Sequence, residues 1–259
     1  MTPKLLLASA ALATALSAQA GVSVTGASFT YAQNFDTLAA SGTAAWADNS
    51  TLEGWSLLPG VSSYGANTGS STTAGFYSFG SASSSDRALG SVVSNTFSGA
   101  VGTGSNLFAL ALTNNSGGAL SSFSLSYDGE QWRNNGNTTA QTLVVQYGFG
   151  DTYAAVTTWA PTASGFTFTT PQTGSSQLAL DGNLAANRVA GLGGTVATDW
   201  SQGATLWLRW VDVNDSGNDH FLAIDNVSLS VSAVPEPGTY AMLLAGLGAM
   251  GFIARRRRD

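Results

Sequence analysis

Three stretches of this 259-residue chain carry oxygen- and nitrogen-bearing side chains at spacings that could do chemistry. The richest runs Asp212-Val213-Asn214-Asp215-Ser216-Gly217-Asn218-Asp219-His220 and continues to Asp225 and Asn226. Oxygens at Asp212, Asn214 and Ser216 ahead of Gly217 follow the opening of a calcium loop, where alternate residues of a tight turn aim hard oxygens inward. Ala223 stands where the loop's closing bidentate glutamate belongs, so a calcium site would have to recruit Asp219 or Asp225. The candidate metal ligands are therefore Asp212, Asn214, Ser216, Asp219 and Asp225, with calcium as the one candidate cofactor. The competing reading is an Asx-rich hairpin whose side chains bond their own backbone.

The second stretch is Tyr127-Asp128-Gly129-Glu130-Gln131-Trp132-Arg133. An exposed indole beside a carboxylate and a guanidinium is how sugar-binding surfaces join ring stacking to bidentate hydrogen bonds. Glu130, Trp132 and Arg133 are the candidate ligand-binding residues, with Trp46, Trp55 and Trp159 as further stacking rings. Alternatively Trp132 caps the core while Glu130 and Arg133 pair at a strand end. The third feature is the carboxylate pair a glycosidase needs, from neighbouring strands. Only Glu53 and Glu130 supply glutamates to the body, and neither a local E-x-D-x-x-E arrangement nor a G-x-S-x-G elbow is present. His220, the sole histidine, could act as a base beside Asp219, but a hydrogen-bonded structural role at a strand start is the simpler reading. No catalytic constellation stands out, so a non-enzymatic protein is expected.

Both ends are targeting segments. Lys4, the apolar stretch Leu5 to Leu16 and Ala18-Gln19-Ala20 form the three parts of a secretory signal, with cleavage after Ala20. The C-terminus reads Val-Pro-Glu-Pro, then an apolar run from Tyr240 to Ala254, then Arg255, Arg256, Arg257 and Arg258. In helical rise that run reaches roughly 22 Å, short of the roughly 30 Å hydrocarbon core. The arginines hold its end in the cytoplasm. Pro235 and Pro237 keep Glu236 extended, a form a processing enzyme can grip.

The motif Pro235-Glu236-Pro237, the apolar run and the basic stop, in that order, resemble the PEP-CTERM sorting signal of Gram-negative bacteria. The resemblance implies recognition by an exosortase-type membrane protease, transient residence in the inner membrane, and release to the cell surface or extracellular matrix. An uncut membrane anchor is the alternative. Phe35-Asp36-Thr37-Leu38, Gly129 to Arg133 and Trp210 to Leu229 are similar to stretches of bacterial surface proteins bearing the same tail. That likeness implies a β-sandwich with no assigned activity.

The expected organisation is a signal peptide over 1–20, one domain over 21–233 and the sorting signal over 234–259. The central segment holds four arginines, no lysine and thirteen acidic residues, a net charge of −9. Such a body repels phosphate backbones, which excludes nucleic acid as a partner. With no cysteine, disulfides and thiol chemistry are excluded as well.

The elements that must position these side chains are strands. Phe108-Leu110-Leu112, Phe123-Leu125-Tyr127, Leu143-Val145-Tyr147-Phe149, Leu206-Leu208-Trp210 and Val227-Leu229-Val231 all alternate with small or polar residues, the period of half-buried strands. Turn clusters separate them, and no amphipathic helix is evident in the body. The prediction is an all-β fold, an antiparallel two-sheet sandwich of jelly-roll or lectin-like type, flanked by a signal-peptide helix and a C-terminal hydrophobic helix. Gly60 to Ser85, with Tyr64, Phe76, Tyr77 and Phe79 as its only large anchors, is expected to be a long surface loop feeding an edge strand. The expected function is a non-enzymatic surface or matrix protein associated with exopolysaccharide. The alternatives are a carbohydrate-binding module, calcium-assisted or not, and a polysaccharide-acting hydrolase.

Overall fold

The computed structural model describes residues 21–57, 61–94 and 105–233, together with the helical residues 245–247 and 250. Among them are β1 (Val22–Val24), β2 (Thr30–Gln33), β3 (Thr43–Ala45), β4 (Trp55–Leu57), β5 (Ser63–Asn67), β6 (Gly75–Phe79), β7 (Ala88–Val92) and β8 (Ser105–Asn114). The chain continues through β9 (Leu120–Asn135), β10 (Thr142–Phe149), β11 (Ala160–Pro161), β12 (Phe168–Thr169), β13 (Gln177–Ala179), β14 (Arg188–Trp200), β15 (Thr205–Val213) and β16 (Phe221–Ala233). Two single 3-10 turns, Tyr153–Ala155 and Ser164–Phe166, interrupt the strands.

Among the described residues these strands make two sheets. The seven-stranded sheet runs β1-β8-β15-β10-β11, with β4 also on β8 and β12 on β10. The nine-stranded sheet runs β13-β9-β16-β7-β6-β5-β3, with β14 beside β9 and β2 beside β16. The fold is the all-β sandwich that the alternation predicts. Pairing is antiparallel except at β1–β8 and β5–β6, which are parallel.

Period two works here because one face of each strand meets the opposite sheet. Phe108, Leu110, Leu208 and Trp210 are fully buried from one side, and Phe123, Tyr127 and Leu229 from the other. Trp210 stacks on Trp55 at 5.4 Å and meets Tyr127 edge-on at 5.7 Å, so one ring ties the two sheets together. The Tyr127 hydroxyl donates to the Phe166 carbonyl at 2.6 Å, which satisfies a polar tip inside the apolar layer.

Two smaller apolar clusters lie on the outer faces. Trp132, Phe79, Phe221 and Ala223 pack on the nine-stranded sheet, and Trp207, Leu107 and Val156 on the seven-stranded one. Here the structure corrects the loop reading of Gly60 to Ser85. Tyr64, Phe76, Tyr77 and Phe79 are all buried, and they anchor β5 and β6 inside the larger sheet. The turn at 214–218 is likewise not a hairpin, because β15 belongs to one sheet and β16 to the other. The chain crosses the sandwich there. β14 also went unpredicted, because Gly191, Gly193 and Gly194 dilute its pattern and only one of its residues, Trp200, is buried.

No helix among the described residues is long and apolar enough to cross a membrane. Residues Ala18 and Ala20, the Pro235-Glu236-Pro237 motif and Arg255 to Arg258 lie outside the described residues.

Candidate functional site

A group of charged and polar side chains from three strands meets on the outer face of the nine-stranded sheet, along β9. Asp128 and Glu130 are two residues apart and share that face. Asp225 of β16 is the register partner of Asp128, and Arg188 of β14 is the register partner of Glu130. Asp128 is the hub. Its carboxylate accepts from the Gly191 backbone N–H at 2.9 Å and from the Asn226 side-chain amide at 3.2 Å, and it lies 3.7 Å from the Arg188 guanidinium.

Both flanking strands bulge at this point. β16 inserts a residue between Asp225 and Ser228, and β14 between Val189 and Leu192. Asn226 takes a left-handed conformation, φ 50°, which asparagine tolerates better than most residues. Gly191 takes φ 69° in the other bulge. A bulge re-aims side chains locally, and the two together swing Asn226 and the Gly191 N–H onto one carboxylate.

Glu130 itself is fully buried. Its Oε2 accepts from the Trp132 indole N–H at 2.9 Å, while Oε1 has no partner. Burial, with Asp225 beside it, pushes its carboxyl up to about 8. Burial and the acidic neighbours Asp86, Asp36 and Asp128 push Asp225 up to about 7.

Next to these acids, the same face turns into a ladder of short hydroxyls. Ser126 pairs with Ser228, Ser124 with Ser230, and Ser122 with Ser232. Thr195 of β14 extends one rung, its hydroxyl 2.7 Å from that of Ser124. Two shallow depressions open here. One, of about 340 Å³, is lined by Ser124, Ser126, Thr195, Ser228 and Ser230 among others. The second, of about 400 Å³, is lined by Gln33, Asn34, Asn226 and Ser228 among others. The sequence signal for this face was present in the repeated alternation Ser122-x-Ser124-x-Ser126 and Ser228-x-Ser230-x-Ser232. Asp128 and Arg188 had no comparable signal, since only strand register joins them.

The predicted ligand trio is placed differently from expectation. Trp132 is no exposed stacking ring. It is completely buried, stacks on Phe79 at 5.8 Å, and lies so close beneath Gly182 that a Cβ there would sit 2.4 Å from its indole nitrogen. Glu130 and Arg133 do not pair, because Arg133 donates to Asn135 and to the Gly69 carbonyl and covers the Phe221 ring at 5.7 Å. β9 carries one extra residue, Trp132, opposite Phe221 and Leu222, and this makes Arg133 the register partner of Phe221. Trp46 and Trp55 are buried too, and Trp159, half-buried, has the Arg209 guanidinium 3.9 Å from its ring centroid.

The structure does not gather all five candidate calcium ligands: Asp212 feels the charges of Asp219 and Asp215, but Asp225 stands apart from them. Asp212 is buried between the sheets, held by the Ser91 hydroxyl of the opposite sheet at 2.5 Å, and burial raises its carboxyl well above the usual range. Asp225 stands on the outer face of the nine-stranded sheet. Asp219 accepts from the Asp215 backbone N–H at 2.8 Å, and the Asn137 side-chain amide takes up the Ser216 and Asn218 carbonyls. The Gln141 side-chain amide also donates to the Asn218 carbonyl at 3.0 Å, so the loop's oxygens bond its own backbone and two neighbouring amides. No group of three or more acidic, histidine or cysteine side chains among the described residues could hold a metal. His220 is buried, with Nδ1 accepting from the Asn135 N–H at 3.1 Å.

Residues 233–258 match the family model of the PEP-CTERM protein-sorting motif. The chain carries a PEP-CTERM sorting signal. That signal marks an exported surface protein of a Gram-negative bacterium, anchored in the membrane before processing, and it implies an exosortase as the processing enzyme. Among solved structures, the chain is similar to the CBM22-1 xylan-binding domain from Paenibacillus barcinonensis Xyn10C. Identity is 12%, 82% of this chain and 99% of that chain are covered, and the TM-score is 0.41. It is also similar to the N-terminal CBM22-1-CBM22-2 tandem domain of Xyn10C, at 11% identity over 83% of this chain and 50% of that one, with a TM-score of 0.42. No curated protein matches the chain.

Proposed function

We propose that this PEP-CTERM protein is a non-enzymatic component of the surface polysaccharide layer, and that it contacts neutral polysaccharide through the serine ladder of the nine-stranded sheet. The observation that carries this reading is the rungs of Ser122, Ser124 and Ser126 against Ser232, Ser230 and Ser228, of which Ser126, Ser228 and Ser232 are exposed and the rest half-buried. Exposed protein surfaces ordinarily carry about 25–35% charged residues, many of them long lysines and glutamates. This face instead presents short hydroxyls that donate and accept at once, matching the hydroxyl-rich edge of a sugar chain. Few rotatable bonds are immobilised on contact, which keeps the entropic cost of binding low.

A non-enzymatic role is supported by the acids themselves. Glu130, with its raised carboxyl, is sealed from solvent and cannot reach a polymer lying on the face. The test is retention of the exported protein on immobilised neutral polysaccharides, compared with Ser126→Lys and Ser228→Lys combined. Both side chains are exposed, so the double variant should stay folded and lose no more than about 1 kcal/mol, from like charges paired across the strands. Wild-type retention that the double variant loses is the expected result. Equal retention of the two proteins, or none of either on any polysaccharide, would overturn the assignment.

A further inference from the structure

Arg87 is 2% exposed, and no carboxylate among the described residues lies within 4 Å of its guanidinium. Its Nε donates to the Ser78 hydroxyl at 2.8 Å, and Nη2 donates to the Ser78 carbonyl. Nη1 is the arm of the fork that Ser78 leaves unused. It passes directly beneath Gly80, where a Cβ would come within 2.1 Å of it, so only glycine lets the guanidinium lie there. Burial pulls the guanidinium's pKa down, and the nearest acids, Asp86 and Asp36, only partly oppose this. Asp36 is already engaged, by the Arg87 backbone N–H at 3.0 Å and the Asn34 side-chain amide at 2.7 Å. A buried cation short of a hydrogen-bonded counter-charge is costly unless something else supplies one.

Above Arg87 opens a pocket of about 210 Å³, with Ser41, Asn67, Thr68, Ser70 and Ser81 in its wall. The wall is firmly built. Asn67 holds its own loop through Gly69 N–H, Ser71 N–H and the Ser71 carbonyl, and the Thr68 and Ser70 hydroxyls are 3.0 Å apart. The volume is below the roughly 300–1,000 Å³ of drug-sized ligand sites, a size for one sugar ring and not a chain interior.

We propose that this pocket binds a single uronate residue, its carboxylate on the Arg87 guanidinium and its ring hydroxyls on the serine and threonine wall. A planar guanidinium matches a carboxylate's two oxygens. One cation flanked by Asp36 and Asp86 suits a ligand of single negative charge better than a phosphate. The inference rests on the polysaccharide-layer reading above, and it makes acidic sugar termini a second, separate point of contact for that layer.

The test is calorimetric titration of the full exported protein with D-glucuronate, D-glucose, acetate and inorganic phosphate. D-glucuronate should bind saturably, with each of the other three at least about tenfold weaker. Ser41→Glu and Ser70→Glu, both at exposed positions, bring a like charge to the wall and should weaken D-glucuronate at least about tenfold at unchanged melting temperature. Arg87→Gln should abolish binding, and the two serine variants keep the test decisive if that protein does not fold. No heat with D-glucuronate, equal affinity for acetate or phosphate, or indifference to both glutamates would overturn the proposal. The double lysine variant of the serine ladder should keep full D-glucuronate affinity. Loss of neutral-polymer retention alone or of D-glucuronate binding alone therefore tells the two sites apart.

Discussion

Replacing Glu130 by Gln should change how stability depends on pH while leaving the packing around Trp132 in place. Glu130 is fully buried with one oxygen unpartnered, and burial together with Asp225 lifts its carboxyl from 4.5 to about 8. The folded protein therefore keeps a proton that the unfolded chain releases above pH 4.5. Below that pH both states are protonated and the group adds no pH dependence. From there to pH 8 the native state binds more protons than the unfolded one, so stability falls as pH rises, by about 1.4 kcal/mol per pH unit. Over the whole window the loss accumulates to about 5 kcal/mol, a large share of a typical folding free energy. Asp225, pushed up to about 7, acts with the same sign, and the two acids titrate as a pair. Glutamine keeps an acceptor for the Trp132 indole and carries no ionisable proton. In urea unfolding series from pH 4.5 to 9, Glu130→Gln should be no more stable than wild type at the acid end. By pH 8.5 it should be more stable by several kcal/mol. Parallel curves for the two proteins across that range would refute the buried-acid reasoning.

Trp132→Ala should cost about 3–5 kcal/mol in denaturant unfolding, because the ring fills the space between Phe79 and Gly182 and its loss leaves a cavity. Near-native stability would mean that the ring does not hold the outer-face cluster together. Millimolar calcium or its removal with EDTA should leave the melting temperature unchanged. Asp225 stands apart from Asp212 and Asp219, and no group of three or more acidic, histidine or cysteine side chains among the described residues could hold a metal. A rise of several degrees would require a shared site in the native state.

The sorting tail was readable from residue order alone, because it acts as a linear peptide. The inner layer was equally open to reading. Phe108-Leu110-Leu112 and Leu206-Leu208-Trp210 face the opposite sheet along their whole length, and alternation is the direct consequence of that contact. Gly60 to Ser85 misled because its aromatic residues, Phe76, Tyr77 and Phe79, are crowded within five positions and are buried on both faces of β6. A strand covered on both sides loses its alternation.

The site shows the same division. The serines of β9 and β16 are spelled out in the chain, every second residue, as the polar half of an ordinary strand pattern. That Asp128 lies against Asp225, or that Glu130 sits beneath a sealed surface, depends on register and on two bulges. Trp132 beside Arg133 looked like a sugar platform because neighbours in sequence suggest neighbours in space. Its burial is decided by Phe79 and Gly182, each some fifty residues away along the chain. Local composition determined the strands, the export and the absence of thiol chemistry. Which polar groups end up exposed, shared or stranded was decided only when distant strands paired, because burial and long-range contact are properties of the assembled sheets and not of any one segment.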